Sequence, residues 1–363
     1  MKSIAIFFGG QSVEHDVSVI TGVMTTNALK KEYDAIPVFV DANGEWWTGE
    51  ILKDIDFYKE INYKKIKKVS FMPGCNCLVE IKNKKQKNKT PISAVINCIH
   101  GERGEDGSLA GLLKMIGIPL VSPDILSSSI FMDKTATKIF LKGLNIPTLS
   151  YGQAKSIEDG EEISKKLGFP LVVKPVHGGS SIGVCKAYDD KSLKSGLRRA
   201  LSFDSRVILE PKAENFIEIN QAVYRSTEGL VLSELERPIG KDEVLSFDDK
   251  YSFGKREFPA KVSKETKKKI SEYSQRIYNS LDMTGVIRID YFVIDGKVKV
   301  NEINTVPGSM AYYLFSEKTE DFLNMLKEMV TVALNRSSLE QSISREFSSG
   351  ILKVTGAKGS KRL

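Results

Sequence analysis

The 363-residue chain has no apolar run long enough to span a bilayer, which excludes a conventional membrane-spanning helix. The N-terminus, MKSIAIFFGGQSVEHD, carries one lysine and a short apolar run broken at Gly9 and Gly10. A secretory leader needs a longer apolar stretch and a small-residue cleavage site, so we read this run as a first β-strand and expect a cytoplasmic protein. Histidine is scarce: His15, His100 and His177 are the whole complement, and their spacing suggests no zinc site. Cysteine is scarce too. Cys75 and Cys77 form a C-x-C rather than the C-x-x-C of zinc sites, with no second pair, and Cys98 and Cys185 stand alone. Free reduced thiols are expected. Arginine is missing from residues 51–93, where eleven lysines face four acidic residues. That segment alone accounts for the chain's net charge of +7, and the rest is balanced. A stretch such as KNKKQKNK reads as a solvated hairpin or loop. With no zinc finger, helix-turn-helix or aromatic-basic stacking motif present, no nucleic-acid partner is expected.

What is present is ample apolar material, 41% of residues, in a chain too long for one small domain. Residues 1–125 alternate strands and helices: SIAIFFGG, the amphipathic VSVITGVMTTNALKK, AIPVFVD, ISAVINCIHG, GSLAGLLKMIGIP and PLVS. Such alternation predicts a doubly wound parallel sheet, with ligands beyond the carboxyl ends of its strands. Gly9–Gly10 and His100–Gly101 lie at two such ends. Residues 126–215 read as a helix followed by an α+β unit, with strands at LVVKPV and VCKAY flanking the glycine-rich loop HGGSSIG. Residues 216–340 supply FIEINQAVY, LVLSELER, GVIRIDYFVID and KVKVNEIN as strands, with helices at TKKKISEYSQRIYNSLD and EDFLNMLKEMVTVALNR. The tail 341–363, five basic residues against one acid, is expected to be loosely held.

Chemistry gathers in two places. Asp290 ends one apolar strand run, and Glu302 and Asn304 lie two apart on the next, so the latter pair share a face. An Asp, a Glu and an Asn on adjacent strands supply hard oxygen ligands for magnesium. Arg288, two residues before Asp290, shares its face. The second place is VVKPVHGGSSIGV, where Lys174 ends a strand and a Gly-Gly-Ser-Ser loop follows. Glycines let backbone N–H groups approach phosphate, and serines add donors. The P-loop pattern is absent. Glu210, ending the strand VILEP, is suited to accept a hydrogen bond from an exocyclic amine, as an adenine site requires.

In order, the motifs GGQSVEHDVS, HGERGEDGSLAG, MDK, VVKPVHGGSSIG, VILEP, DDKY, GVIRIDYF and NEINTVPG resemble those of the D-alanine–D-alanine ligase family over residues 3–335. The resemblance implies an N-terminal substrate-binding α/β domain followed by a two-domain ATP-grasp module that holds ATP between its halves. The insert at 51–93 is similar to the longer N-terminal domain of the subgroup that includes vancomycin-resistance ligases. The implied roles are these. Lys134 and Lys174 contact the ATP phosphates, and Ser180 and Ser181 sit on a loop closing over the γ-phosphate. Glu210 meets the adenine amine and Glu218 the ribose, at a spacing one residue longer than the family's. Asp290, Glu302 and Asn304 hold two Mg²⁺ ions (or Mn²⁺). Arg288 and the Gly308 N–H stabilise an oxyanion. Glu14 holds the ammonium of the first amino acid, with His100 close to its carboxylate, and Lys250 and Tyr251 belong to a substrate-covering loop. By the same resemblance the protein is a homodimer and D-alanine its substrate.

One departure bears on selectivity. After NEINTVPG the family carries a serine followed by leucine that helps seat the second substrate's carboxylate. This chain reads SMAYYLF, with Tyr313 at the serine position and Leu314 after it. Three readings follow: a dipeptide ligase with two D-alanine sites, a ligase with another second substrate (D-serine, D-lactate or another amino acid), or a nucleotide-binding regulator without catalysis. The magnesium triad and Arg288 weigh against the last. Tyr251 favours an amine over a hydroxy acid.

Overall fold

The structure is a computed structural model and describes residues 1–239, 255–316 and 318–344. Lys250, Tyr251 and most of the 341–363 tail lie outside the described residues.

The first unit comprises β1 (Ser3–Gly9), α1 (His15–Leu29), β2 (Asp34–Val40), β3 (Trp46–Thr48), β4 (Lys67–Met72), β5 (Cys77–Lys82), β6 (Lys85–Pro91), β7 (Ala94–Asn97), α2 (Ser108–Ile116) and β8 (Leu120–Val121). They form one sheet in the order β6-β5-β4-β3-β2-β1-β7-β8. The half β2-β1-β7-β8 is parallel, as the strand–helix alternation predicts. The other half is antiparallel: the lysine-rich insert continues the sheet as a meander. Its last hairpin turns at Asn83–Lys84, both at positive φ (51° and 60°), the geometry two-residue hairpins favour. Lysines along the exposed edge strand β6 discourage pairing with a second sheet.

The second unit contains α3 (Ile125–Met132), α4 (Lys134–Gly143), β9 (Gly152–Ala154), α5 (Ile157–Leu167), β10 (Leu171–Pro175), β11 (Cys185–Ala187), α6 (Asp190–Leu201) and β12 (Val207–Pro211). The sequence reads as one helix through MDK, but two form. Asp133 is extended (φ −88°, ψ 108°), and its carboxylate accepts from the N–H groups of Thr135 and Ala136, so α4 starts afresh at Lys134. The antiparallel sheet β11-β10-β12-β9 packs Val173 and Leu209 against Leu193, Leu197 and Ala200 of α6.

The third unit holds β13 (Phe216–Arg225), β14 (Leu230–Leu232), β15 (Arg237–Ile239), β16 (Lys255–Glu257), α7 (Lys264–Ser280), β17 (Val286–Ile294), β18 (Lys297–Asn304) and α8 (Thr319–Ser342). Helix α8 runs on into the start of the expected tail. The sheet β14-β13-β17-β18 buries one face against α7 together with Phe131 of α3 and Leu141 of α4. Its other face, through Ala222, Tyr224 and Val286, joins a cluster with α8 and α1. Among the described residues no helix is long and apolar enough to cross a membrane.

Helix α1 is therefore not the one-sided amphipathic helix its sequence suggests. Val17, Val19, Thr21, Gly22, Val23, Thr25, Thr26 and Leu29 are all buried, because the N-terminal sheet covers one side and residues 308–333 cover the other. Gly22 makes the close approach to the sheet: a Cβ there would lie 2.1–2.3 Å from Phe8, which is fully buried. Alanine is the better helix former by about 1 kcal/mol, yet we expect Gly22→Ala to lower stability by roughly 1–3 kcal/mol through overpacking. Urea unfolding monitored by circular dichroism checks this, and a midpoint equal to or above the parent's would contradict it.

Candidate active site

Strands β10, β12, β13, β17 and β18 and the loop 176–184 surround one cleft, lined among others by Lys134, Lys174, Ser181, Glu210, Glu218 and Glu302. Alternation brings the first group in. On β17, Ile287, Ile289 and Tyr291 enter the core, so Arg288 and Asp290 point the other way. On β18, Val298 and Val300 enter the core, and so does Ile303, a change of parity. A bulge makes the change: Asp290 pairs with Glu302 but Tyr291 with Val300, leaving Asn301 extra. The bulge puts Glu302 opposite Asp290 and Asn304 opposite Arg288. The sequence shows Glu302 and Asn304 sharing a face, but not the extra residue that turns this face outward.

Arg288 holds Asp290 with a fork: Nε donates to Oδ1 at 2.8 Å and Nη2 to Oδ2 at 2.9 Å. Asn304 Nδ2 donates to the same Oδ2 at 3.1 Å. Burial opposes the guanidinium's charge, but Asp290 beside it raises Arg288 well above its ordinary value. Two facing carboxylates and an amide are a hard-oxygen donor set that fits a divalent cation completing its shell with phosphate oxygens. Among the described residues no group of three or more His, Cys, Asp or Glu forms a closed metal cage, and the third donor here is Asn304.

The lysines sit around this set. Lys134, first in α4, donates to the Gly178 carbonyl at 2.6 Å and lies 3.7 Å from Glu302. Lys174 pairs with Glu210 Oε2 at 2.6 Å, and Lys138 with Oε1 at 2.5 Å. Burial would push the Glu210 carboxyl up, but the two ammonium groups outweigh it and hold it at about 2. Lys174 is raised above the usual lysine value: burial opposes its charge, and Glu210, with Glu302 and Glu218, outweighs burial. Lys138 escaped the sequence reading. Its signal was the spacing K-x-x-x-K from Lys134 in MDKTATK, which places both on one helix face.

The loop between β10 and β11 is anchored at its base and tied at its tip. His177 N–H and Nδ1 both reach Asp204 Oδ2, at 2.7 and 2.9 Å. Arg206 Nη2 reaches His177 Nε2 at 3.1 Å and Asp133 at 2.7 Å. At the tip Ser180 and Ser181 adopt positive φ (53° and 59°), and Ser180 Oγ donates to the Glu14 carboxylate. Glu14 precedes α1 and lies against Gly101 and Gly179, so the two strand ends singled out in the sequence meet the loop here. His100 is buried beside them, its Nε2 3.1 Å from Thr21 Oγ1. Thr21 in turn accepts from the Ser309 N–H at 3.0 Å, which fixes the turn containing Gly308 to α1.

Tyr313 lies beside Arg288. Burial pushes its phenol up, with the Arg288 charge opposing. Its ring also faces Arg256 at 5.3 Å. The Leu314 side chain is fully buried in the core shared by α1 and α8, so any contact it makes with a ligand falls to its backbone. Arg256 and Glu236, paired at 3.2 Å, were not foreseen, since nothing in their local sequence distinguishes them from surface charges.

Two antiparallel sheets closing on a lysine-lined cleft, with facing carboxylates on one and a glycine-rich loop on the other, define an ATP-dependent ligase of the ATP-grasp fold. Comparison with known proteins narrows this. The family models described as "D-ala D-ala ligase N-terminus" and "D-ala D-ala ligase C-terminus" match residues 3–123 and 141–331. A D-alanine–D-alanine ligase of Thermosipho melanesiensis is 33% identical, over 99% of this chain and 100% of that one. The crystal structure of D-alanine–D-alanine ligase from Helicobacter pylori matches with a TM-score of 0.77 at 28% identity, over 91% of this chain and 98% of that one. The VanG D-Ala:D-Ser ligase from Enterococcus faecalis matches at 0.78 and 26%, over 92% and 99%. The chain belongs to the D-alanine–D-alanine ligase family.

If Glu302 is a metal ligand, Glu302→Gln is expected to keep the fold and lower ligation by roughly 100-fold or more, because one anionic donor would be lost. Steady-state turnover at saturating magnesium, beside a melting curve, is the check. Parent-like turnover would remove Glu302 from the site.

Proposed function

We propose that the chain joins two D-alanine molecules at the expense of ATP, through an acyl phosphate, to supply the dipeptide for peptidoglycan synthesis. The observation that carries this is the convergence of Glu14, the Ser180 loop, Lys134, Lys174 and the Arg288/Asp290/Glu302/Asn304 face around one cleft. The division into residues 1–125, 126–215 and 216–340 then gives one substrate-binding domain and the two halves of a nucleotide clamp.

A carboxylate is a poor electrophile. Attack of the first D-alanine's carboxylate on the γ-phosphorus releases ADP and leaves an acyl phosphate with a good leaving group. The amine of the second D-alanine then attacks the carbonyl carbon, loses a proton, and phosphate departs from the tetrahedral species. Both steps gather negative charge, so fixed counter-charges carry most of the catalysis. Lys134 and Lys174 serve the phosphates, Glu210 the adenine amine and Glu218 the ribose. Asp290, Glu302 and Asn304 are the residues to hold Mg²⁺ (or Mn²⁺), which supplies counter-charge to the transferring phosphoryl group. Arg288, immobilised by its fork on Asp290, and the Gly308 N–H face the oxyanion. Glu14 takes the first ammonium, with His100 near its carboxylate. Ser180, Ser181, Lys250 and Tyr251 belong to loops that exclude water, which would otherwise hydrolyse the acyl phosphate.

We assign the protein to the cytoplasm, where ATP is available, and expect a homodimer. Leu112 and Met115 of α2 and Ile125 and Leu126 of α3, two helices in contact, are exposed apolar side chains available to a second copy. Sedimentation analysis reads the mass.

A second reading, a ligase with a different second substrate, is favoured by Tyr313 in place of the family's serine and by the likeness to a D-Ala:D-Ser ligase. ATP turnover with a panel of D- and L-amino acids and D-hydroxy acids, with product identification, tests both. D-alanyl-D-alanine as main product is the expected result, and a mixed product or none refutes it. If Tyr313 seats the second substrate, Tyr313→Ser changes the second-substrate KM and the product ratio among D-alanine, D-serine and D-lactate, while Tyr313→Phe loses only the hydroxyl's part. Unchanged values in both variants would remove Tyr313 from the second site.

A further inference from the structure

Lys138 lines the same cleft as Lys134 and Lys174, and it is the one lysine among the described residues that is buried. A buried ammonium is costly unless every donor finds a partner. Lys138 has three: Glu210 Oε1 at 2.5 Å, the Leu149 carbonyl at 3.3 Å, and the face of Tyr151 at 5.5 Å. An apolar residue on this face of α4 would avoid the desolvation cost altogether, so the charge itself needs a reason.

The reason lies across Glu210. Its two carboxylate oxygens are divided, Oε1 to Lys138 and Oε2 to Lys174. With both lysines present the three buried groups sum to one positive charge, and that charge sits on Lys174 at the cleft wall. Without Lys138, Glu210 and Lys174 form a closed neutral pair, and an approaching polyphosphate meets a lysine already cancelled by a carboxylate. We propose that Lys138 is a positioning residue for the nucleotide: by neutralising Glu210 through Oε1, it leaves the Lys174 charge uncancelled by Glu210 and its ammonium tied to Oε2, available to the phosphates. The inference rests on the ATP-binding reading of this cleft.

Binding of ATP, ADP and adenosine to the full-length chain by titration calorimetry tests it, alongside kcat and the KM values for ATP and D-alanine. Lys138→Met is expected to weaken ATP and ADP by roughly tenfold or more and to leave adenosine nearly unchanged. Lys138→Arg restores the charge and is expected to bind within a few-fold of the parent. The decisive variant combines Lys138→Met with Glu210→Gln. It again leaves one positive charge on Lys174, and glutamine can still accept from an adenine amine, so ATP and ADP affinity is expected to recover relative to Lys138→Met alone. A packing role would not produce that recovery, because the double variant disturbs more of the interior. Parent-like ATP affinity in Lys138→Met, equal losses for adenosine and ATP, or a double variant no tighter than the single one would each overturn the proposal. A parent chain that binds no ATP would overturn the ligase reading with it, whereas a parent that binds ATP and a Lys138→Met variant that binds equally well would overturn the role of Lys138 alone.

Discussion

The approach of α1 to β1, with no side chain at Gly22 between them, is the constraint on which the geometry of this protein turns. It lets one helix be buried on both sides, against the N-terminal sheet and against α8 with the 308–314 turn. The residue preceding that helix, Glu14, meets the glycine loop, and one of its inner residues, Thr21, holds both His100 and the Ser309 N–H. The end proposed to receive an ammonium group and the end proposed to face the reacting carbonyl are thus fixed by the same rigid body. A chemistry that needs two small molecules held in line gains from such a shared member, since a displacement of about an ångström at either end costs heavily in rate.

The electrostatics follow a different logic from the packing. The cleft has to receive a polyanion, so it needs cations, and cations brought together repel each other and pay for desolvation. The structure meets this by interleaving carboxylates: Asp290 under Arg288, and Glu210 between Lys138 and Lys174. Asp290 and Glu210 are deep, Arg288 and Lys174 are more exposed than the carboxylates they pair with, and Lys138 lies as deep as Glu210, so the buried charges offset one another.

Much of this was legible in the sequence because it rests on local rules. The parallel core of the first sheet follows from strand–helix alternation, the solvated hairpin or loop of the insert from its polar run, and the adjacency of the strands carrying Asp290 and Glu302 from the short turn that joins them. What was not legible depends on tertiary contact. VSVITGVMTTNALKK reads as one-sided, since its second neighbour comes from more than 280 residues away. Lys138 looks like any helix-surface lysine until β12 brings Glu210 to it. Leu314 reads, together with Tyr313, as part of the second-substrate site, yet its side chain turns into the core, since adjacent positions in a turn can point to opposite sides. The break at Asp133 was readable in principle, an Asp before a new turn of helix, but an unbroken apolar pattern hid it.

The bulge at Asn301 has a consequence for how this chain can change over time. Along most surface strands a residue gained or lost is absorbed in a nearby loop. In β18 an extra residue is absorbed within the strand itself: Val298 and Val300 are counted from one end and Glu302 and Asn304 from the other, with Asn301 bulged between them. Losing that residue would leave regular alternation with the carboxylate and the amide still facing outward, whereas straightening the bulge with the residue kept would turn both into the apolar interior. The bulge, rather than the length of the strand, is therefore what keeps Glu302 and Asn304 on the face they share with Asp290.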